Sequence, residues 1–191
     1  MATTIKYRSD SGQEVTFEQT RQMESYNKIF LENNVPVSKE RYELNKLVNK
    51  SYNVTSTEEI DNILLREPNS SFDFVRYQSI YKVHEIRSYK NGMLTDKSAT
   101  VWNEQNNLIG YAKFDVQTNN IIPGKTEKSF YENGEERYFF EYDQYGNCLM
   151  IYDEPYGDVI YPNRIGVDPD EPFTWQGKEY YQHAEPLIPT S

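Results

Sequence analysis

The side chains best suited to proton transfer are His84 and His183, and neither sits beside a base, a nucleophile or an orienting carboxylate in a recognisable motif. His84 lies in the run Tyr81–Ile86, whose composition suits a strand, and reads as a packed or surface imidazole. Cys148 is the single thiol. A cysteine nucleophile needs a neighbouring base and a lowered pKa. Nothing around Cys148 supplies them, so it reads as a small buried hydrophobe. Asp168, Asp170 and Glu171 are dense enough in carboxylate to attract Ca²⁺. Their spacing lacks the sixth-position glycine of an EF-hand loop, and the flanking prolines suit a solvated acidic turn. Glycoside hydrolysis asks only for two carboxylates, and with 30 acids their availability carries no information. No phosphate-cradling glycine loop, nucleophile elbow or HExxH is present. The expectation is a protein that is not an enzyme and needs no metal or cofactor.

Charge is more informative than any motif. Residues 1–130 balance, with 17 basic and 17 acidic side chains. Residues 131–191 hold 13 acids against Arg137, Arg164 and Lys178, which accounts for the whole net charge of −10. A one-sign field steers a partner of opposite sign and argues against nucleic acid. The acids are interleaved with tyrosines, of which the chain has 17, and with Trp175. Such rings are favoured at contact surfaces. No apolar run approaches membrane-spanning length, and Met1–Asp10 lacks the apolar core of a signal peptide. Together with the absence of a possible internal disulfide, this leads to the expectation of a cytoplasmic protein that touches neither membrane nor nucleic acid.

The elements that must carry these residues suggest an α+β domain, one unit over residues 1–191: an antiparallel β-meander with two short N-terminal helices packed on it. Residues 2–8 suit a first strand, with Ser11-Gly12 as a turn. Thr16 and Gln19 form a capping box, and Phe17, Met23, Tyr26 and Phe30 fall near one helical face, which predicts a helix over 17–32. Residues 41–54 fit a helix through Leu44, Leu47, Val48 and Ser51, or a hairpin around Asn45-Lys46, the latter favoured. Ser56 and Glu59 cap a helix over 57–66. Residues 72–161 alternate short strands with turns, including Asn91-Gly92 and Asn133-Gly134, and predict six to eight strands in which Tyr138, Phe140 and Tyr142 share a face. Residues 162–191 read as an acidic, proline-rich segment wrapping the surface. Within it, residues 175–181 suit a last hairpin or edge strand, and residues 186–191 a frayed end.

A faint repeat of about 40 residues relates Ser88–Gly92 to Phe130–Gly134, and Asn103–Ile109 to Asp143–Leu149. Tyr131-Glu-Asn-Gly134 resembles the hairpin turn of MORN-type repeats found in bacterial antitoxin-like proteins. Glu141-Tyr-Asp-Gln-Tyr-Gly-Asn147 is similar to the turn of YD repeats in bacterial toxin shells. The likeness covers residues 88–153 and implies an open twisted sheet in a bacterial conflict system. It assigns no functional residue.

The combined expectation is an immunity protein. It would neutralise a basic toxin domain, such as a nuclease, through Asp143, Tyr145, Asp153, Glu154, Tyr156, Asp158, Tyr161, Asp168, Asp170 and Glu171. The alternative is a carbohydrate-binding or structural interaction module, with Trp175 as its ring.

Overall fold

The structure, a computed structural model, describes residues 3–168 and 172–190. It is dominated by a mixed sheet of thirteen strands, so the expected α+β arrangement of two helices on a meander is replaced by a sheet protein with little helix. In chain order the elements are β1 (Thr3–Arg8), β2 (Glu14–Val15), α1 (Phe17–Thr20), β3 (Ser25–Glu32), β4 (Val35–Glu43), β5 (Lys46–Val54), α2 (Thr57–Leu64), β6 (Ser71–Gln78), β7 (Tyr81–Lys90), β8 (Met93–Trp102), β9 (Leu108–Phe114), β10 (Ile121–Glu132), β11 (Glu135–Tyr142), β12 (Cys148–Asp153) and β13 (Asp158–Ile160). The chain forms two compact units, Met1–Val75 with Glu85–Thr95 and Arg76–His84 with Asp96–Ser191, and β6, β7 and β8 each contribute residues to both.

The largest correction concerns residues 17–32. The capping box forms: the Thr16 amide donates to Gln19 Oε1 at 2.7 Å, and the Gln19 amide donates to Thr16 Oγ1 at 3.3 Å. The helix nevertheless ends after one turn, and Ser25–Glu32 is strand. Tyr26 and Phe30 are four apart, a spacing that keeps two residues on one face in either structure. The residues between them settle the outcome, because Tyr26, Lys28 and Phe30 share one face and Asn27, Ile29 and Leu31 the other, and the strand pairs on both sides. Asn33 and Asn34, which look like a helix stop, both take positive φ, as a tight two-residue hairpin requires. The same geometry recurs at Leu44 and Asn45, so residues 41–54 are hairpin strands, with the turn one position earlier than expected.

In the first unit the strand order is β2-β1-β3-β4-β5-β6. β5 and β6 pair in parallel, and α2 makes the crossover between them. Ser56 Oγ accepts from the Glu59 amide at 3.2 Å and starts α2, whose Ile60 is buried with Val54 and Phe72.

In the second unit the order β8-β9-β10-β11-β12-β13 is antiparallel throughout. Val101, Gly110, Lys128, Phe140, Ile151 and Ile160 oppose one another across it in a single row. Phe173, Trp175, Tyr181, Ala184 and Leu187 pack on that face, so the C-terminal segment supplies the second layer of the core. Residues 175–181 form no hairpin. They close in a 3₁₀ turn at Glu179–Tyr181.

Asn133 and Gly134 carry the expected positive φ values, 53° and 86°. Space does not constrain Gly134, since a Cβ there would meet nothing within 4 Å. The left-handed backbone does, and Gly134→Ala is expected to cost about 1 kcal/mol in urea unfolding. An unchanged midpoint would show that the turn re-forms in another class.

Candidate partner-binding surface

Antiparallel pairing decides which turns of the second unit share an end. The β8–β9, β10–β11 and β12–β13 turns fall together at one end, and the β9–β10 and β11–β12 turns at the other. The first end gathers Glu104, Glu132, Glu135, Glu136, Glu154 and Asp158 on neighbouring turns. A cation at this end, Arg137, is already bonded to Asp153 and lies over the rings of Tyr138 and Tyr156, at 4.6 and 5.1 Å. Tyr156 stands 73% exposed at the tip, its backbone fixed by the amides of Tyr156 and Gly157 donating to the Asp153 carbonyl.

The residues expected from sequence do not all come together. Glu154, Tyr156 and Asp158 share the acidic end. Asp153 belongs to it by position, but its carboxylate is buried and bonded to Arg137 rather than facing outward. Asp143 and Tyr145 lie at the opposite end of β12, whose six residues span about 20 Å. The Asp143 carboxylate accepts the amides of Asn147 and Tyr145, and these bonds hold its pKa below the usual carboxylate range. It organises its own turn. Tyr161 follows β13, half-exposed, and Asp168 is paired with Arg164. Asp170 and Glu171 lie outside the described residues. Glu104, Glu132, Glu135 and Glu136 were not singled out by charge counting, although Glu132 and Glu135 flank the Asn-Gly turn. Counting hairpins from that turn would have placed them.

The sheet face away from the C-terminal segment carries charges of both signs, with Lys113 and Lys125 beside Glu127 and Glu141. Tyr111, Glu127, Glu141 and Met150 oppose one another across β9 to β12. Phe139, Tyr152 and Val159 form the next row, with the first two rings 5.9 Å apart. Glu127 and Glu141 are directly opposite, an arrangement that costs stability. Burial, and then Glu141, raise the Glu127 pKa.

The first unit holds a separate cleft of about 510 Å³ between α2 and the strands. Two of its charged groups, Glu40 and Lys50, are engaged in ion pairs, and Glu59 accepts from Thr55. Glu40 lies between Lys28 (3.7 Å) and Lys50 (3.9 Å) and accepts from the Tyr42 hydroxyl, while Lys50 donates to Glu67 at 2.8 Å. Lys28 and Lys50 also cover the rings of Phe30 and Tyr52. Among the described residues no three His, Cys, Asp or Glu side chains are grouped to hold a metal, and no helix is long and apolar enough to cross a membrane. No family model matches the chain, and neither a curated protein nor a solved structure matches it.

Proposed function

We propose that this protein is a neutralising binder of the immunity type, which occupies a basic toxin domain, such as a nuclease, without chemistry of its own. The observation that carries the reading is the six-carboxylate end of the second unit. It adjoins Tyr156 and the Tyr111–Glu127–Glu141 face, while Arg137 beside it is already bonded to Asp153 and Lys178 lies over the Phe130 and Tyr138 rings. Rim charges of one sign raise the encounter rate with an oppositely charged partner, and exposed aromatic anchors supply affinity. A lysine or arginine placed between Glu127 and Glu141 would relieve their repulsion. The MORN-like and YD-like turns, Tyr131–Gly134 and Glu141–Asn147, agree with a bacterial conflict setting. The glycan alternative is less favoured, because Trp175 is half-buried and packs 5.0 Å from Phe173 and 6.3 Å from Phe140.

Affinity capture from native lysate at low and high salt, followed by interferometry on the purified partner, tests the proposal. A basic protein is expected, with an affinity that falls as salt rises. E132K/E135K/E154K/D158K should weaken it at least tenfold, about 1.4 kcal/mol, and flatten the salt dependence. Equal affinity for the variant and the wild type would rule out this end as the contact.

A further inference from the structure

The face of the first unit away from α2 gathers four cations, matched in part by carboxylates at its edge. Register places Lys6, Ile29, Lys39, Ser51 and Ser71 in one row across β1, β3, β4, β5 and β6, and Arg8, Asn27, Arg41 and Asn49 in the next. Two of these cations are committed: Lys6 to Glu14 at 2.9 Å, and Arg41 to Asp10 and Glu43 at 3.4 and 3.1 Å. Arg8 and Lys39 are exposed and form no ion pair or side-chain hydrogen bond among the described residues. Both line a concavity of about 150 Å³, together with Lys6, over a floor of Ile29 and Leu31, with Asp73 among its lining residues. Three basic side chains, two of them uncommitted, therefore line one hollow against the single carboxylate of Asp73.

We propose that this cavity binds the phosphate group of a small ligand. Arg8 would grip two oxygens with its planar fork and Lys39 would add a point charge, together outweighing the single carboxylate of Asp73 in the lining. The volume corresponds to roughly five waters at ~30 Å³ each, room for one or two phosphates, with any group attached to them lying outside the hollow. A nucleic-acid strand is a poor fit. Neither row carries an aromatic ring on which bases could stack.

Titration calorimetry at low salt with pyrophosphate, inorganic phosphate and a sugar phosphate provides the test. At least one should bind the wild-type protein, and its identity separates a free phosphate from an esterified one. R8Q/K39Q should weaken it tenfold or more, while K46Q, which removes an exposed cation of β5 outside the cavity, should leave it unchanged. Both altered side chains are exposed, so the double variant should keep the wild-type melting temperature, and the loss would then report on the site. The proposal is overturned if none of the three binds at millimolar concentration, or if K46Q weakens binding as much as R8Q/K39Q does. Either result would leave the cavity no specific role. Binding here is independent of the acidic end, so E132K/E135K/E154K/D158K should retain it. That separates failure of this inference from failure of the immunity reading.

Discussion

Lys128→Met should lower unfolding stability by about 3 kcal/mol and should do so by an amount that grows with pH. Lys128 is fully buried in the sheet row covered by the C-terminal segment. Its amino nitrogen lies within hydrogen-bond distance of three acceptors, the carbonyls of Tyr180, His183 and Pro186 at 3.0, 2.8 and 2.9 Å. The Tyr180 ring lies 3.7 Å from Nζ. Methionine fills the space but leaves three carbonyls without a donor. Each costs about 1–3 kcal/mol, offset in part because an ammonium no longer has to be desolvated.

Burial pushes the Lys128 pKa from 10.5 down to about 7. Between those values the unfolded chain binds more protons than the folded one, so the contribution of Lys128 to stability rises with pH, by up to about 1.4 kcal/mol per unit. It is fully present above the unfolded pKa and lost as pH falls through about 7. Burial acts in the opposite sense on Cys148, raising its thiol to about 12, so that group loses stability as pH rises through this range. The tyrosines Tyr142, Tyr180 and Tyr181 are also raised by burial. The informative quantity is therefore the difference between wild type and K128M, in which these other groups cancel. Urea unfolding of both at pH 6.5, 8 and 9.5 should show a widening gap. A gap of constant size would mean that Lys128 keeps an ordinary pKa and acts as a permanent cation.

The elements most legible in the sequence are those whose chemistry is local. Asn91-Gly92 and Asn133-Gly134 announce hairpins because the backbone there needs positive φ at both positions, and Ser56 announces α2 because its hydroxyl is three residues from the amide it caps. The extent of α1 was not legible. A capping box fixes where a helix begins and leaves its length to packing, and Tyr26 and Phe30 satisfy both periods. The acidic third was visible as composition, but the site within it depends on cross-strand partners. Asp153 is withdrawn by Arg137, which is sixteen residues away in sequence but adjacent across β11 and β12. Lys128 looks like any strand lysine until the chain returns more than fifty residues later to cover it. Long-range closures of this kind leave no periodic trace in either partner segment.

Phe139 and Phe140 turn that same question of which face is covered into a measurement. Phe140→Ala should destabilise the protein by about 3–5 kcal/mol. The ring is fully buried, lies nearly parallel to Tyr181 at 4.6 Å, and has Phe173 and Trp175 each 6.3 Å away. Its loss opens a cavity between the sheet and the C-terminal segment, which the fixed strands on either side cannot close. Phe139 is its neighbour in sequence and points to the other face, where Tyr152 is its ring contact at 5.9 Å and the surface is half-open. Phe139→Ala should therefore cost about 1 kcal/mol, because solvent already reaches the site and no closed cavity forms. Hydrogen exchange separates the two further. F140A should release protection across residues 172–190, since the segment loses the ring it packs on, whereas F139A should leave that protection in place. Losses of equal size, with the C-terminal amides equally protected in both variants, would show that the segment is not anchored through the Phe140 face. The Tyr111–Glu127–Glu141 face would then no longer be marked as the open side of the sheet.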